Sequence, residues 1–243
     1  MKRPAFTSAL SVLIVMVAVA LATAEETKLH SAVRPKPCGG GHFKRYQKVN
    51  ERLKQGNVDL LFFGDSITNS WTGRAKAIWD EYYAPRNAVN VALSGLRTQH
   101  VLWQLDNLAV ENISPKLAVV LIGTNNTRDN TGEQIAEGLT KIVERLREKL
   151  PKTKILLLAI FPNGPNDDDP RRQVAAKANQ LVSKLGDDRM VVYMDLRDRF
   201  VKPDGTPTKC LRGNDLLHLT LDGYRAWAEA IEPVVAREVG KKQ

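Results

Sequence analysis

Apolar and β-branched residues gather into five short runs along the chain: VDLLFF (58–63), AVNVAL (88–93), LAVVLI (117–122), KILLLAI (154–160) and RMVVYM (189–194). Runs of this length and composition, set between polar stretches, predict strands buried on both faces. Between them the pattern shifts to a helical period. The segment TGEQIAEGLTKIVERLREKL places Ile135, Leu139, Ile142, Val143, Leu146 and Leu150 on one stripe, and Thr131 with Gln134 forms a capping box at its start. Phe43, Tyr46, Val49 and Leu53 predict a shorter helix closed by Gly56, and a last helix follows Asp222. Strands about thirty residues apart, joined by helices, make βαβ units and a parallel sheet covered on both sides. The expected fold is a three-layer α/β/α sandwich around a five-stranded parallel sheet, with no repeat or low-complexity tract inside it.

In such a sheet ligands bind beyond the carboxyl ends of the strands. The first run ends on Gly64-Asp65-Ser66, the second on Ser94-Gly95 and the third on Gly123-Thr124-Asn125-Asn126, so these loops should share one rim. The fourth run leads into FPNGPNDDDP, a polar loop long enough to wall a site there.

The start of the chain is of another character. Lys2 and Arg3 precede an uncharged apolar run that closes on Ala22-Thr23-Ala24, the pattern of a secretory signal peptide over residues 1–24. The run is also long enough to span a bilayer, so an uncleaved anchor is the alternative, and a membrane is expected to matter only through this segment. Glu25 to Gly41, rich in Pro and Gly and poor in apolar residues, reads as a linker, which leaves a single domain over 42–243. Cleavage would yield an exported chain of 219 residues and lower the net charge from +9 to +7. Acids are interleaved with the lysines and arginines and no nucleic-acid motif is present, so the charge reads as a solvated face. Cys38 and Cys210 are the only cysteines. An exported chain can bridge such a pair, but a core of this size does not need the staple, and pairing stays open.

The strand-end Ser66 raises the question of a nucleophile, which needs a base to accept its proton. Of four histidines, His30 lies in the linker, His42 in the first helix and His100 after the second run. His218 has Asp215 three residues before it, a spacing at which a carboxylate in a turn or helical start can orient the imidazole. The bland reading of DLLHLT, two leucines docking a loop into the core, loses ground once a strand-end serine is present. The surrounding GDSIT is not a G-x-S-x-G elbow, which excludes the ordinary α/β-hydrolase arrangement.

Taken together, GDSIT, NVALSG, GTNN and DLLH resemble the four blocks of the SGNH (GDSL-type) hydrolases. More narrowly, SGLRTQHVLWQLDN, KLAVVLIGTNN and LLHLTLDGY are similar to the catalytic subunits of intracellular platelet-activating-factor acetylhydrolases. The similarity runs from about Val58 to the last helix and departs at Leu93 and Ser94, where those subunits are richer in glycine. The resemblance implies a flavodoxin-like strand order and a catalytic triad of Ser66, Asp215 and His218. It also implies an oxyanion hole made of the backbone N–H groups of Ser66 and Gly95 and the Asn125 side-chain amide. A glycine lets the backbone approach a substrate oxygen, and an asparagine amide donates hydrogen bonds without carrying charge.

Neighbouring residues read as structural. Asp65 is expected to brace its own loop, Thr124 and Asn126 to shape a turn, Trp103 and Leu105 to pack in the core, and Asp167 to Asp169 to face water. His100 with His218 is too sparse a set for zinc, so no metal and no cofactor are expected. The expected activity is serine ester hydrolysis removing a small acyl group, acetyl most simply, from a lipid or carbohydrate ester. The rivals are a carbohydrate O-acetylesterase of the same family and a non-catalytic binding module on the same scaffold.

Overall fold

The computed structural model describes residues 29–241. The apolar runs form five parallel strands: β1 (Leu60–Gly64), β2 (Ala88–Asn90), β3 (Leu117–Leu121), β4 (Lys154–Leu158) and β5 (Val191–Met194). Their order is β2-β1-β3-β4-β5, the flavodoxin-like order implied above. The register is continuous, with Leu60 opposite both Ala88 and Leu117.

Eight helices lie among the described residues: α1 (Phe43–Lys54), α2 (Ser66–Asn69), α3 (Lys76–Tyr82), α4 (Thr98–Asn107), α5 (Gly132–Lys149), α6 (Pro170–Val182), α7 (Arg197–Phe200) and α8 (Leu221–Val239). Successive strand side chains point to opposite faces, which splits the core into two layers. Leu61, Phe63, Val120 and Leu157 pack with Val49 and Leu53 of α1, Val101 and Leu105 of α4, the predicted apolar stripe of α5 and Ala178 of α6. Leu60, Phe62, Val119 and Leu156 face the other way, against Trp79 of α3, Phe200 of α7 and Tyr224 and Trp227 of α8. The capping box of α5 is formed, each of Thr131 and Gln134 accepting from the other's backbone N–H at 3.3 Å.

Two expectations are refined. The Glu25–Gly41 stretch, read as a linker, is seated on the domain at Ala32, Val33 and Cys38, while Arg34–Pro37 and Gly39–Gly41 stay exposed as a linker would. Ala32 and Val33 are buried, Thr98 Oγ1 donates to Ala32 O at 2.7 Å, and Lys36 N–H donates to Gln99 O at 3.0 Å. Two small apolar residues and backbone hydrogen bonds suffice to seat a segment whose composition reads as solvated. Asp167 and Asp168 are exposed, as expected, and Asp169 is half-buried, but two of these acids also have partners. Asp167 pairs with Arg172 and Arg197, and Asp169 caps α6 by accepting from Arg171 N–H.

Cys38 and Cys210 are both free, because Cys38 packs against the first layer and Cys210 against the second, with the sheet between them. The predicted leader, residues 1–24, lies outside the described residues. Among those described, no helix is long and apolar enough to cross a membrane.

Candidate active site

β1 delivers Ser66 directly. The strand ends at Gly64, where an added Cβ would lie 2.1 Å from Thr68 Oγ1 and 2.6 Å from Leu121 O. Only glycine lets the chain turn so tightly from the strand into α2. Asp65 caps that helix, its Oδ1 accepting from Ile67 N–H at 2.9 Å, as its bracing role predicts. It is buried, and desolvation pushes its pKa up to about 7 against the hydrogen bonds from backbone N–H groups. α2 is held from below by α8, where the Tyr224 hydroxyl donates to Ile67 O at 2.7 Å.

His218 arrives on a loop closed at its base by an antiparallel bridge between Leu211 and Leu219. Arg212 N–H donates to His218 O at 2.8 Å, and Leu216 takes a left-handed conformation with φ of 48° to complete the turn. The loop is a turn, one of the two settings the three-residue spacing allowed; Leu217 packs against the second layer and Leu216 is half-buried. Asp215 Oδ1 accepts from the backbone N–H of Leu217 at 3.1 Å and of His218 at 2.9 Å, which aims Oδ2 at the imidazole.

The result is one line of hydrogen bonds. Asp215 Oδ2 lies 2.9 Å from His218 Nδ1, and His218 Nε2 lies 2.9 Å from Ser66 Oγ, across 152 positions of sequence. A carboxylate at Nδ1 selects the tautomer with its proton there, leaving Nε2 to accept from the serine hydroxyl. Burial raises the Asp215 pKa, and the hydrogen bonds from His218 and Leu217 outweigh it and hold the carboxyl below its ordinary value. The side chains of Asp215 and His218 are each 30% exposed, so the line is reachable from solvent.

The other strand-end loops meet on the same rim. Gly95 has φ of 73°, a conformation that favours glycine. One N–H of the Asn125 amide donates to Leu96 O at 2.9 Å, so the third loop holds the second beside Gly95. As the first residue of α2, Ser66 has a backbone N–H without an acceptor inside the helix. Asn126 is structural, as predicted: its side chain accepts from Thr98 N–H and donates to Asn130. The loop after β4 does wall the site, Gly164 N–H donating to Leu216 O at 3.1 Å.

Several contributors were not visible in the sequence. Arg212 Nη1 stands 3.5 Å from Asp215 Oδ2, at the same three-residue spacing that pointed from Asp215 to His218. Asn69 Nδ2 donates to Ser94 Oγ at 3.2 Å and ties the first loop to the second, a contact no local pattern signals. His100 stays apart from the triad. Its Nδ1 accepts from Arg97 N–H, and burial, helped by the nearby cations Lys36, Arg97 and His42, lowers its pKa to about 4.

Comparison with known proteins bears on the family and the fold. The model of the GDSL-like lipase/acylhydrolase family matches residues 62–226, a span that contains Ser66, Asp215 and His218. The alpha2 subunit of platelet-activating factor acetylhydrolase IB from Rattus norvegicus is 40% identical over 175 residues, covering 70% of this chain and 73% of that protein. The alpha1 subunit from Homo sapiens is 32% identical over 204 residues, covering 82% and 86%. Among solved structures, a GDSL-like lipase from Bacteroides thetaiotaomicron superposes with a TM-score of 0.60 at 15% identity, covering 80% of this chain and 97% of that one. An acetylxylan esterase from Geobacillus stearothermophilus superposes with a TM-score of 0.57 at 18% identity, covering 76% and 95%. At these identities the two structures speak for the fold alone. The family match and the sequence relatives decide the class: this chain belongs to the GDSL-like lipase/acylhydrolase family and is an esterase or acylhydrolase.

Proposed function

We propose that this is an exported serine esterase that removes short acyl groups, acetyl most simply, through an acyl-enzyme on Ser66. The observation that carries the reading is the unbroken Ser66–His218–Asp215 line. His218 Nε2 takes the hydroxyl proton as Ser66 Oγ bonds to the ester carbonyl carbon. Asp215 supports the imidazolium that forms, and the oxyanion is received by the N–H groups of Ser66 and Gly95 and the free N–H of Asn125. Collapse of the tetrahedral intermediate breaks the bond to the leaving oxygen, which receives the proton from His218. Water then attacks the acyl-enzyme by the same route and releases the acid.

Acetyl as the acyl group is supported by the acetylhydrolase subunits at 32–40% identity. Export is supported by the sequence pattern of residues 1–24. The test is to replace Ser66 and His218 by alanine, singly and together, and to label the wild type with an organophosphonate. Stoichiometric labelling of Ser66 is expected. Each single variant should lose most turnover, and the double variant should be scarcely worse, because the residues act as a unit. A well-folded Ser66→Ala protein that keeps its esterase activity refutes the reading. A panel of acetylated sugars, acetylated phospholipids and esters of increasing chain length then tests the substrate class. Faster turnover of dodecanoyl than of acetyl esters would overturn the short-acyl assignment.

A further inference from the structure

We infer that Arg45, on α1 and outside the span matched by the family model, is a positioning residue for the oxyanion pocket. It laces the loop that carries Ser66 to the loop that carries Gly95. Its Nε donates to Ala92 O at 3.3 Å, three residues before Gly95, and one terminal nitrogen donates to Thr72 Oγ1 at 3.1 Å. Thr72 Oγ1 in turn donates to the carbonyl of Asn69, the last residue of the short helix that Ser66 begins. One rigid guanidinium therefore joins the roots of two loops that lie 47 and 27 residues from it in sequence.

The chemistry of the residue favours this role over a surface ion pair. Arg45 is half-buried, and among the described residues its guanidinium has these two neutral oxygen partners and no carboxylate. Burial lowers its pKa from the ordinary value, the mark of a cation partly desolvated without a counter-ion. Holding a charged fork in that setting costs free energy, and its planar geometry is suited to fixing two acceptors at a set separation. The remaining links between the loops are side-chain amides. Asn90 Nδ2 donates to Thr68 O at 2.7 Å while its Oδ1 accepts from Ala92 N–H at 3.0 Å, and Asn69 reaches Ser94. With these in place, loss of Arg45 should leave the domain folded and loosen the placement of the donors relative to Ser66. That separates a catalytic consequence from a global one.

The inference rests on Ser66 being the nucleophile, and the experiment keeps the two apart. Full-length Arg45→Met, Arg45→Lys, Thr72→Val and Arg45→Met/Thr72→Val are compared with wild type and Ser66→Ala. Active sites are counted by organophosphonate labelling, kcat and KM are measured with p-nitrophenyl acetate per labelled site, and folding is followed by thermal melts. Arg45→Met should lower kcat per labelled site by roughly tenfold, the scale of a small misplacement, with KM changed by less than about twofold. Arg45→Lys should recover part of the loss. Thr72→Val, at an exposed position, should show a smaller loss in the same direction, and the double variant should be no worse than Arg45→Met. A merely structural arginine would reduce the number of labelled sites and leave kcat per site unchanged, and that result overturns the inference. If Arg45→Met fails to fold, Thr72→Val decides, and wild-type kcat per site in that variant overturns it. An active Ser66→Ala overturns both readings, whereas an inactive Ser66→Ala beside an unimpaired Arg45→Met overturns this one alone.

Discussion

Replacing Asn125 by alanine separates catalysis from stability on two independent axes. The amide has two N–H groups. One donates to Leu96 O at 2.9 Å, and the other is the proposed oxyanion donor. Deleting a donor of the second kind raises the barrier by about 2.7–4 kcal/mol, so kcat should fall by roughly 10²–10³. KM should stay nearly unchanged, because the bond strengthens only as the oxyanion forms. Deleting the neutral bond to Leu96 costs about 0.5–1.5 kcal/mol of stability. The turn itself survives, since Asn126 N–H still donates to Gly123 O at 2.9 Å and Thr127 Oγ1 to Thr124 O at 2.7 Å. For a domain of this size the melting temperature should then drop by only about 2–4 °C for each kcal/mol. Steady-state rates with p-nitrophenyl acetate and thermal melts on the same preparation measure both. A well-folded Asn125→Ala enzyme whose kcat falls by less than about tenfold, or whose loss lies in KM, would refute the oxyanion assignment.

Other outcomes follow from the same geometry. Gly64→Ala should destabilise the protein by at least about 1–3 kcal/mol in urea denaturation and cut activity, because its Cβ would meet Thr68 Oγ1 at 2.1 Å and the Leu121 carbonyl at 2.6 Å. A stable, fully active Gly64→Ala enzyme would mean that the turn into Ser66 is not so constrained. For Asp65, a folded pKa of about 7 lies above the ordinary carboxylate value, so the folded state binds the extra proton. Its contribution to stability is therefore full below about pH 4 and is lost as pH rises through about 7, at roughly 1.4 kcal/mol for each pH unit in that window. Relative to Asp65→Asn, the wild type should lose stability across that range; parallel pH profiles of the two proteins would contradict a buried, protonatable Asp65.

Local order was legible in the chain itself. The five apolar runs became five strands, and the Thr131–Gln134 capping box and the α5 stripe formed as written, because a pleat of period two and a helix of period 3.6 are imposed by nearest neighbours. Ser66, Asp215 and His218 could be named because each stands in a short motif whose chemistry is visible locally, and Gly95 and Asn125 because the motifs around them resemble those of a known family. What joins them could not be read this way. The Ser66–His218 contact spans 152 positions, and the lacing of the loops by Asn69, Asn90 and Arg45 links side chains to residues 22 to 47 positions away. Nothing in a window of ten residues encodes such pairings, since they arise only when the parallel sheet brings successive strand ends to one rim. The same holds for the stretch seated on the domain at Ala32 and Val33. Its composition is that of a solvated linker, and only the surface offered by Thr98, Gln99 and α5 gives Ala32 and Val33 somewhere to bury. The fate of the two cysteines was likewise decided by the sheet, which places them on opposite faces.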